Sequence, residues 1–129
     1  MSRRSLLSAS CLIVAIAGCS TGPQSGGPPT PVPAIEQVAW EAIGKGAPVI
    51  DVRTAEEFRQ GHLPGAINIP YDEIASRVGE LPPDRSQPIV LYCRTGRRSG
   101  IARTSLEQLG FTHAINAGGY DAMMRAQPR

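Results

Sequence analysis

Residues 89–100 read IVLYCRTGRRSG, an apolar run followed within eight positions by one cysteine, three arginines and two glycines. The run at 89–92 has the length and composition of a buried strand, and Cys93 comes just past its carboxyl end. Residues 101–109 then carry apolar side chains at helical spacing. In open sheets built from such units, ligands bind beyond the carboxyl ends of strands, so we expect a site at Cys93.

The alternation of strand and helix extends over the rest of the chain. Short apolar runs predict further strands at 49–52, 66–69 and 114–116. Periodic apolar positions and capping signals predict helices over residues 35–43, 54–60, 74–81, 101–109 and 120–126. Strands that are apolar throughout and joined by helices indicate an α/β fold, with a parallel sheet covered by helices on both faces.

The first 18 residues have the layout of an export signal. Arg3 and Arg4 form a basic start, and residues 6–17 form an apolar stretch that is too short for a spanning helix. The end of this stretch and the two residues after it, 16–19, read IAGC and resemble the bacterial lipobox. The lipobox resemblance implies cleavage before Cys19 and lipid attachment there. An uncleaved hydrophobic anchor is the alternative. Both interpretations place the domain outside the cytoplasm and attached to a membrane.

The lipobox resemblance implies a lipid-anchored protein on the periplasmic side of a bacterial membrane. Ser20 after Cys19 is compatible with sorting to the outer membrane. The two arginines also fit a twin-arginine signal, so the export route stays open between this and general secretion. Residues 19–33 would comprise the lipidated cysteine and a linker rich in glycine, proline and serine, and residues 34–129 would form the folded domain.

Cysteine count and charge exclude several classes of protein. Of three cysteines, Cys11 leaves with the signal and Cys19 carries lipid, so Cys93 is the one free thiol. This excludes a disulfide framework and a thiolate metal cluster. Loss of residues 1–18 removes two of the 13 basic residues and leaves 11 against 11 acidic ones, so a general affinity for nucleic acid is not expected.

The loop after Cys93 has the composition of a site that stabilises a thiolate. Loop N–H groups can form an anion-binding cup, the following helix presents the positive end of its dipole, and guanidinium groups add full charges. Each effect lowers a thiol pKa, and a thiolate is a nucleophile near neutral pH. The alternative is a buried, inert cysteine, which would have apolar neighbours rather than arginines.

Five segments together resemble the rhodanese-like domain family, in the order that this family shows. They cover nearly all of the folded domain and read VIDVR at 49–53, EF at 57–58, GHLPGAINIP at 61–70, CRTGRRS at 93–99 and NAGGY at 116–120. The resemblance implies the rhodanese-like α/β fold, with a central parallel sheet of about five strands. It also suggests similarity to small periplasmic members of the phage-shock type.

The resemblance implies a sulfurtransferase without metal or organic cofactor. Cys93 would take sulfane sulfur from thiosulfate or a similar donor, carry it as a persulfide, and pass it to cyanide or a thiol. The loop would bind the persulfide and the substrate, with Arg98 as the first choice for the sulfonate of thiosulfate and Arg94 as the second. The full set of loop residues expected at the site is Arg94, Thr95, Gly96, Arg97, Arg98 and Ser99.

Two further residues have a supporting position. Asp51 and Arg53 lie at or past the end of a predicted parallel strand, so they face the site or form a structural ion pair, and the ion pair is favoured. His62 and His113 are interpreted as structural and surface residues.

Two other functions stay open. A cysteine-dependent phosphatase or arsenate reductase would need a larger loop, with arginine at the sixth position after the cysteine, where this chain has Ser99. A carrier or sensor of sulfane sulfur, or a module that binds a partner, would keep Cys93 without fast turnover.

Overall fold

A computed structural model describes Gly18 and residues 33–129 of the chain. Apart from Gly18, the predicted signal, the predicted lipidation site Cys19 and the linker up to residue 32 lie outside the described residues. No helix in the described part is long and apolar enough to cross a membrane. In chain order the helices and strands are α1 (Ile35–Gly44), β1 (Val49–Asp51), α2 (Ala55–Arg59), β2 (Ile67–Asn68), β3 (Ile89–Cys93), α3 (Arg97–Gln108), β4 (Ala114–Gly119) and α4 (Tyr120–Arg125).

The strands form one parallel sheet in the order β2-β1-β3-β4. The described residues contain four strands, close to the expected number of about five, and the α/β class is confirmed. The carboxyl ends of β1 and β3 lie side by side at the centre, because Asp51 pairs with Tyr92. Residues that follow these two strands therefore meet at one edge of the sheet.

Two apolar layers hold the sheet between helices. Alternate residues of β3 point to opposite faces, so Val90 and Tyr92 belong to one layer and Leu91 and Cys93 to the other. The first layer includes Ala39 of α1 and Met123 of α4, and the second includes Ala102 and Leu106 of α3. Helices thus cover both faces, as the apolar strands predicted. Each fully buried side chain of leucine size stabilises the fold by roughly 2 kcal/mol.

Helix α2 begins with the capping box that the sequence predicts. The Thr54 hydroxyl accepts a hydrogen bond from the Glu57 amide at 3.2 Å, and the Glu57 carboxylate accepts one from the Thr54 amide at 3.0 Å. Two of the amide groups at this helix end thereby gain partners. The helix ends at Arg59, and Gly61 follows with φ +146°, in agreement with the predicted stop.

The helix expected over residues 74–81 is not formed. Residues 71–77 make successive turns, and Val78–Glu80 form a single turn of 3-10 helix. Ile74 and Leu81 are buried as their spacing indicated. Gly79 and the Pro82-Pro83 pair disfavour continuation, so three apolar positions mark a packed loop instead of an α-helix.

Candidate active site

Cys93 is the last residue of β3 and lies next to the loop that leads into α3. The strand thus extends one residue further than the sequence indicated, and residues 94–96 separate it from Arg97, where the helix begins. Cys93 has no solvent-exposed surface and is the free cysteine of the described residues. Its position at the carboxyl edge agrees with the prediction, whereas its complete burial is typical of an inert thiol. The groups around the sulfur therefore decide whether Cys93 is a reactive or an inert thiol.

Glycine at position 96 lets the loop turn back toward the sulfur. Gly96 adopts φ +93°, a conformation that side chains with a Cβ rarely adopt, and it precedes the first residue of α3. A Cβ there would also lie 3.2 Å from the Cα of Gly118. In this conformation the Gly96 amide donates a hydrogen bond to Cys93 Sγ at 3.0 Å.

The hydrogen bonds to the sulfur outweigh the effect of its burial. Burial raises the pKa of the Cys93 thiol, but the Ser99 hydroxyl and the amides of Ser99, Thr95 and Gly96 lower it by more. The pKa of Cys93 therefore lies below its ordinary value. These donors belong to the loop and to the first turn of α3, whose dipole favours negative charge at the same place. A fully buried sulfur with such neighbours is suited to carry negative charge.

Ser99 shares its single hydroxyl proton among three neighbours. Its oxygen lies 3.5 Å from Cys93 Sγ, 3.1 Å from the Gly96 carbonyl and 2.7 Å from Asn116 Oδ1. The shortest contact indicates that Asn116 accepts this proton while the thiol is neutral, since a hydroxyl donates only one hydrogen bond. When Cys93 ionises, the hydroxyl can turn to the sulfur, because Asn116 Oδ1 keeps the Gly118 amide as a donor at 3.0 Å.

Asn116 is one of the residues that sequence reasoning did not assign to the site. Its amide nitrogen donates to the Gly96 carbonyl at 2.9 Å, while its oxygen contacts Ser99 and Gly118. A register shift between β3 and β4 places it there, since Leu91 pairs with Asn116 but Cys93 pairs with Gly119. A polar residue within a short strand beside β3 was the available signal.

Arg98 does not present a free guanidinium group. Its two terminal nitrogens donate to the two carboxylate oxygens of Glu57 at 2.7 and 2.9 Å. The hydrogen bonds to Glu57 raise the pKa of Arg98, and the charge and hydrogen bonding of Cys93 raise it further. In turn, the hydrogen bonds from Arg98 are the main reason that the pKa of Glu57 is lowered to about 2. The edge of Arg98 that could bind an anion through two hydrogen bonds is therefore already occupied.

Arg94, the second choice for the sulfonate after Arg98, has a different environment from Arg98. It is exposed, and it lines a cleft of about 340 Å³ at the carboxyl edge of the sheet. Arg94 and Arg97 form no ion pair within residues 33–129, and Arg97 is not among the cleft residues. The cleft is lined by Arg53, Glu57, Gln60, Gly61, Arg94, Tyr120 and Asp121.

Asp51 and Arg53 form a buried ion pair, the arrangement that the sequence favoured. Arg53 Nη2 donates to Asp51 Oδ2 at 2.6 Å and to the Gly61 carbonyl at 2.7 Å. The Tyr92 hydroxyl donates to the same carboxylate at 2.8 Å, and the guanidinium lies 4.6 Å from the centre of the Tyr120 ring. This network fixes the wall of the cleft and leaves Asp51 no free oxygen to act as a base.

The two histidines have local partners, and neither forms a hydrogen bond with the Cys93 sulfur. His62 stacks on Phe58 with ring centres 3.8 Å apart, and its Nδ1 lies 2.9 Å from the Phe58 carbonyl. His113 is exposed and contacts Thr112. Among the described residues, no group of three or more histidine, cysteine, aspartate or glutamate side chains could hold a metal ion.

The fold and the site together define a class of protein. It is an α/β protein in which one cysteine ends a central parallel strand, and in which loop amides, a serine hydroxyl and a helix start surround the sulfur. A family model for the rhodanese-like domain matches residues 36–126. The chain therefore belongs to the rhodanese-like domain family, as the five sequence segments indicated.

Known members of this family include proteins that handle sulfur. The chain is 46% identical over 70 residues to thiosulfate sulfurtransferase PspE of Escherichia coli, which covers 54% of this chain and 67% of that protein. It is 37% identical over 68 residues to putative sulfur carrier protein YrkF of Bacillus subtilis, but spans only 36% of that protein's length and 53% of its own.

The fold is also that of solved rhodanese structures. A rhodanese with anions from E. coli is 42% identical and superposes with a TM-score of 0.56, covering 59% of this chain and 89% of that one. The sequence relatives and the shared fold agree on a protein of the sulfurtransferase family.

Proposed function

We propose that this protein transfers sulfane sulfur from thiosulfate, or a donor like it, to a nucleophilic acceptor through a persulfide on Cys93. The observation that carries the proposal is the hydrogen bond from the Gly96 amide to the Cys93 sulfur at 3.0 Å, at the end of a parallel strand. A preorganised donor of this kind stabilises negative charge on the attacking sulfur without reorganisation during the reaction. The name of the E. coli relative supports thiosulfate as the donor.

The first half of the reaction loads the cysteine. The Cys93 thiolate attacks the outer sulfur of thiosulfate, and a new S–S bond forms to that sulfur. The S–S bond within thiosulfate breaks, and its electron pair leaves with sulfite. The terminal sulfur of the persulfide then bears negative charge, which the amides of residues 95–99 are suited to hold.

The second half discharges the cysteine. A nucleophilic acceptor, such as a thiolate or cyanide, attacks the terminal sulfur and forms a bond to it. The persulfide S–S bond breaks, and its electron pair returns to Cys93 as a thiolate. The acceptor leaves as a persulfide or as thiocyanate, and the sequence of steps uses no metal or organic cofactor.

The anionic end of the donor is assigned to Arg94 in this proposal. Arg94 directly follows Cys93 and lines the cleft, whereas the guanidinium of Arg98 is paired with Glu57. Charge-assisted hydrogen bonds to a sulfonate are stronger than neutral ones. Arg94 thus replaces Arg98 as the first choice for the sulfonate.

Mass spectrometry of the full chain tests the proposal. After incubation with thiosulfate, the peptide containing Cys93 should gain the mass of one sulfur atom and lose it on addition of a thiol. Cys93→Ser should lower the transfer rate by at least about 1,000-fold, because no other described side chain supplies the nucleophile. Cys19→Ser is the matched control and should keep the rate. Sulfur transfer by the Cys93→Ser variant near the original rate would refute the assignment.

A sulfur carrier without fast turnover is the second candidate. The complete burial of Cys93 favours it, and the B. subtilis relative is named as a putative sulfur carrier. A carrier would load readily and discharge slowly with every acceptor. Separate measurement of persulfide formation and discharge distinguishes the two functions, since a turnover enzyme discharges at least as fast as it transfers overall.

A phosphatase or arsenate reductase fits the site less well. The arginine at the fifth position after Cys93 pairs with Glu57, and the sixth position is Ser99, whose hydroxyl contacts the sulfur and Asn116. Phosphate-ester and arsenate turnover should therefore be absent when thiosulfate turnover is present.

We also propose that Cys19 anchors the protein by lipid to the periplasmic side of a bacterial membrane. The basic start, the apolar stretch and the IAGC segment support this placement. Expression of the full chain with radiolabelled palmitate should label the protein, and Cys19→Ser should remove the label. A label that persists in Cys19→Ser, or is absent from both proteins, would contradict lipid attachment at this residue.

A further inference from the structure

The ion pair between Glu57 and Arg98 lies beside a sulfur that has no exposed surface. Both side chains are about a quarter exposed, at 25% and 23%. Arg98 contacts the carboxylate through two nitrogens, and the charge of Cys93 contributes to raising the pKa of Arg98. The planar edge that a guanidinium offers to a carboxylate is the same edge that it would offer to a sulfonate. Glu57 therefore occupies the anion-binding edge of Arg98, which directly precedes Ser99, the residue whose hydroxyl lies 3.5 Å from the sulfur.

Glu57 is held at this place from a second direction. Its Oε2 accepts hydrogen bonds from the Thr54 amide at 3.0 Å and from the Thr54 hydroxyl at 3.1 Å. Its position is thus fixed by the start of α2 as well as by Arg98. Movement of Glu57 away from Arg98 would also break its hydrogen bonds to Thr54. This carboxylate is therefore harder to displace than an exposed carboxylate without such bonds.

Glu57 is also part of the wall of the cleft at the carboxyl edge of the sheet, which Cys93 itself does not line. It lines the cleft together with Arg94 and Asp121, so the cleft carries charges of both signs. Arg94 lines this cleft and forms no ion pair among the described residues, whereas Arg98 is not a lining residue and is paired with Glu57. An anion must compete with Glu57 for Arg98, whereas an uncharged molecule of the same size does not.

We propose that Glu57 is a specificity-determining residue, whose carboxylate withholds Arg98 from anionic reactants and thereby reduces the preference of Cys93 for anionic over uncharged sulfur donors. This inference rests on the proposed role of Cys93 as the sulfur nucleophile. An anion gains the full attraction of Arg98 only by displacing Glu57. Donors without charge, such as organic polysulfides or neutral persulfides, need no such displacement.

Alkylation of Cys93 tests this inference independently of sulfur transfer. Iodoacetate and iodoacetamide have nearly the same size and differ in charge, so the ratio of their rate constants measures the preference for an anion. The full chain is used, and the rates are read from the mass of the peptide that contains Cys93. If thiosulfate fails to load the protein, sulfur transfer is refuted while the alkylation ratio still reports on Glu57.

The decisive variant is Glu57→Gln, which keeps an oxygen for the Thr54 amide because glutamine also serves in a capping box. It should raise the ratio of iodoacetate to iodoacetamide rates by about fivefold, through the charge of the released Arg98. Glu56→Gln is the matched control on the same helix, since Glu56 pairs with exposed Arg59 instead. Its ratio should change by less than about twofold, because exposed charges are screened.

The double variant Glu57→Gln, Arg98→Gln should return the ratio to near its original value. Arg98→Gln alone leaves α2 intact and leaves Glu57 unpaired beside the sulfur, so it should lower the ratio even if Glu57→Gln folds poorly. The inference is overturned by an unchanged ratio in Glu57→Gln, by an equal rise in Glu56→Gln, or by a rise that persists in the double variant. An unchanged ratio in Arg98→Gln overturns it as well.

Discussion

The side-chain amide of Asn116 connects the loop after Cys93 to the neighbouring strand, with its nitrogen 2.9 Å from the Gly96 carbonyl. Gly96 is also the residue whose amide donates a hydrogen bond to the Cys93 sulfur. Asn116 thus fixes the orientation of the residue that holds the sulfur. It acts as a positioning residue, since its contacts are to Gly96, Ser99 and Gly118.

Removal of the Ser99 hydroxyl should raise the pKa of Cys93. Ser99→Ala deletes one of the donors that favour the thiolate, while the buried sulfur keeps its unfavourable surroundings. Because the thiolate is the reactive form, the alkylation rate rises with pH through the pKa of the thiol. The midpoint of this rise should therefore move to higher pH in Ser99→Ala.

Ser105→Ala is the matched control for this measurement. Ser105 lies on the same helix, and its hydroxyl donates to the Ile101 carbonyl. Its rate profile should coincide with that of the unaltered protein. An unmoved midpoint in Ser99→Ala would show that the backbone amides alone set the ionisation of Cys93.

A methyl group at position 96 should disturb both the fold and the site. Gly96→Ala forces alanine into φ +93° and brings its Cβ to 3.2 Å from Gly118 Cα. We expect a loss of about 1–3 kcal/mol in the free energy of unfolding, measured by denaturant titration, together with slower alkylation of Cys93. Gly79→Ala is the control, because nothing lies within 4 Å of a Cβ there, and it should be tolerated. Equal effects of the two variants would contradict the strained conformation.

The ion pair between Glu57 and Arg98 should make the free energy of unfolding depend on pH in the acid range. Its pKa falls from an ordinary value of 4.5 to about 2, mainly through the hydrogen bonds from Arg98. A group whose pKa is lowered in the folded state stabilises the fold above its unfolded pKa, and the stabilisation is lost as pH falls through the folded pKa. The free energy of unfolding should therefore decrease between about pH 4.5 and pH 2, by at most roughly 3 kcal/mol from this residue.

Glu57→Gln should flatten this part of the pH dependence, because glutamine does not titrate. Chemical unfolding at several pH values measures it, with Glu56→Gln as the exposed counterpart. An equally steep acid dependence in Glu57→Gln would show that other carboxyl groups produce it.

Loss of Arg53 should destabilise the domain more than loss of an exposed arginine. Arg53→Ala leaves the carboxylate of Asp51 buried and without its charged partner. Removal of one member of a buried pair costs about 3–5 kcal/mol, whereas exposed pairs contribute little. Arg59→Ala removes an exposed ion pair with Glu56 and is the control. Similar melting temperatures for the two variants would exclude a structural role for the buried pair.

Local sequence patterns predicted most of the elements around the site. The apolar run before Cys93, the capping box at Thr54 and the periodic positions of α1 and α3 each depend on neighbours within a few residues. The turns at 71–77 were expected to be part of a helix, because Ile74 and Leu81 are apolar and spaced as on one helix face. Both side chains are buried against the rest of the domain without forming that helix. Spacing alone does not distinguish the two outcomes when glycine and proline are close by.

The partner of Arg98 could not be predicted from the sequence. Glu57 and Arg98 are 41 positions apart, and their contact depends on how α2 packs near the start of α3. The contacts of Asn116 likewise require a shift of register between β3 and β4. Sequence reasoning identified the loop that surrounds Cys93, whereas the geometry assigned its individual side chains.

The carboxylate of Glu57 joins two properties that are usually independent. The same oxygen atoms complete the first turn of a five-residue helix and neutralise an arginine beside the sulfur. Fraying of that short helix would therefore release Arg98 at the same moment. The inferred role of Glu57 then implies that loosening of α2 alone would alter which reagents react with Cys93.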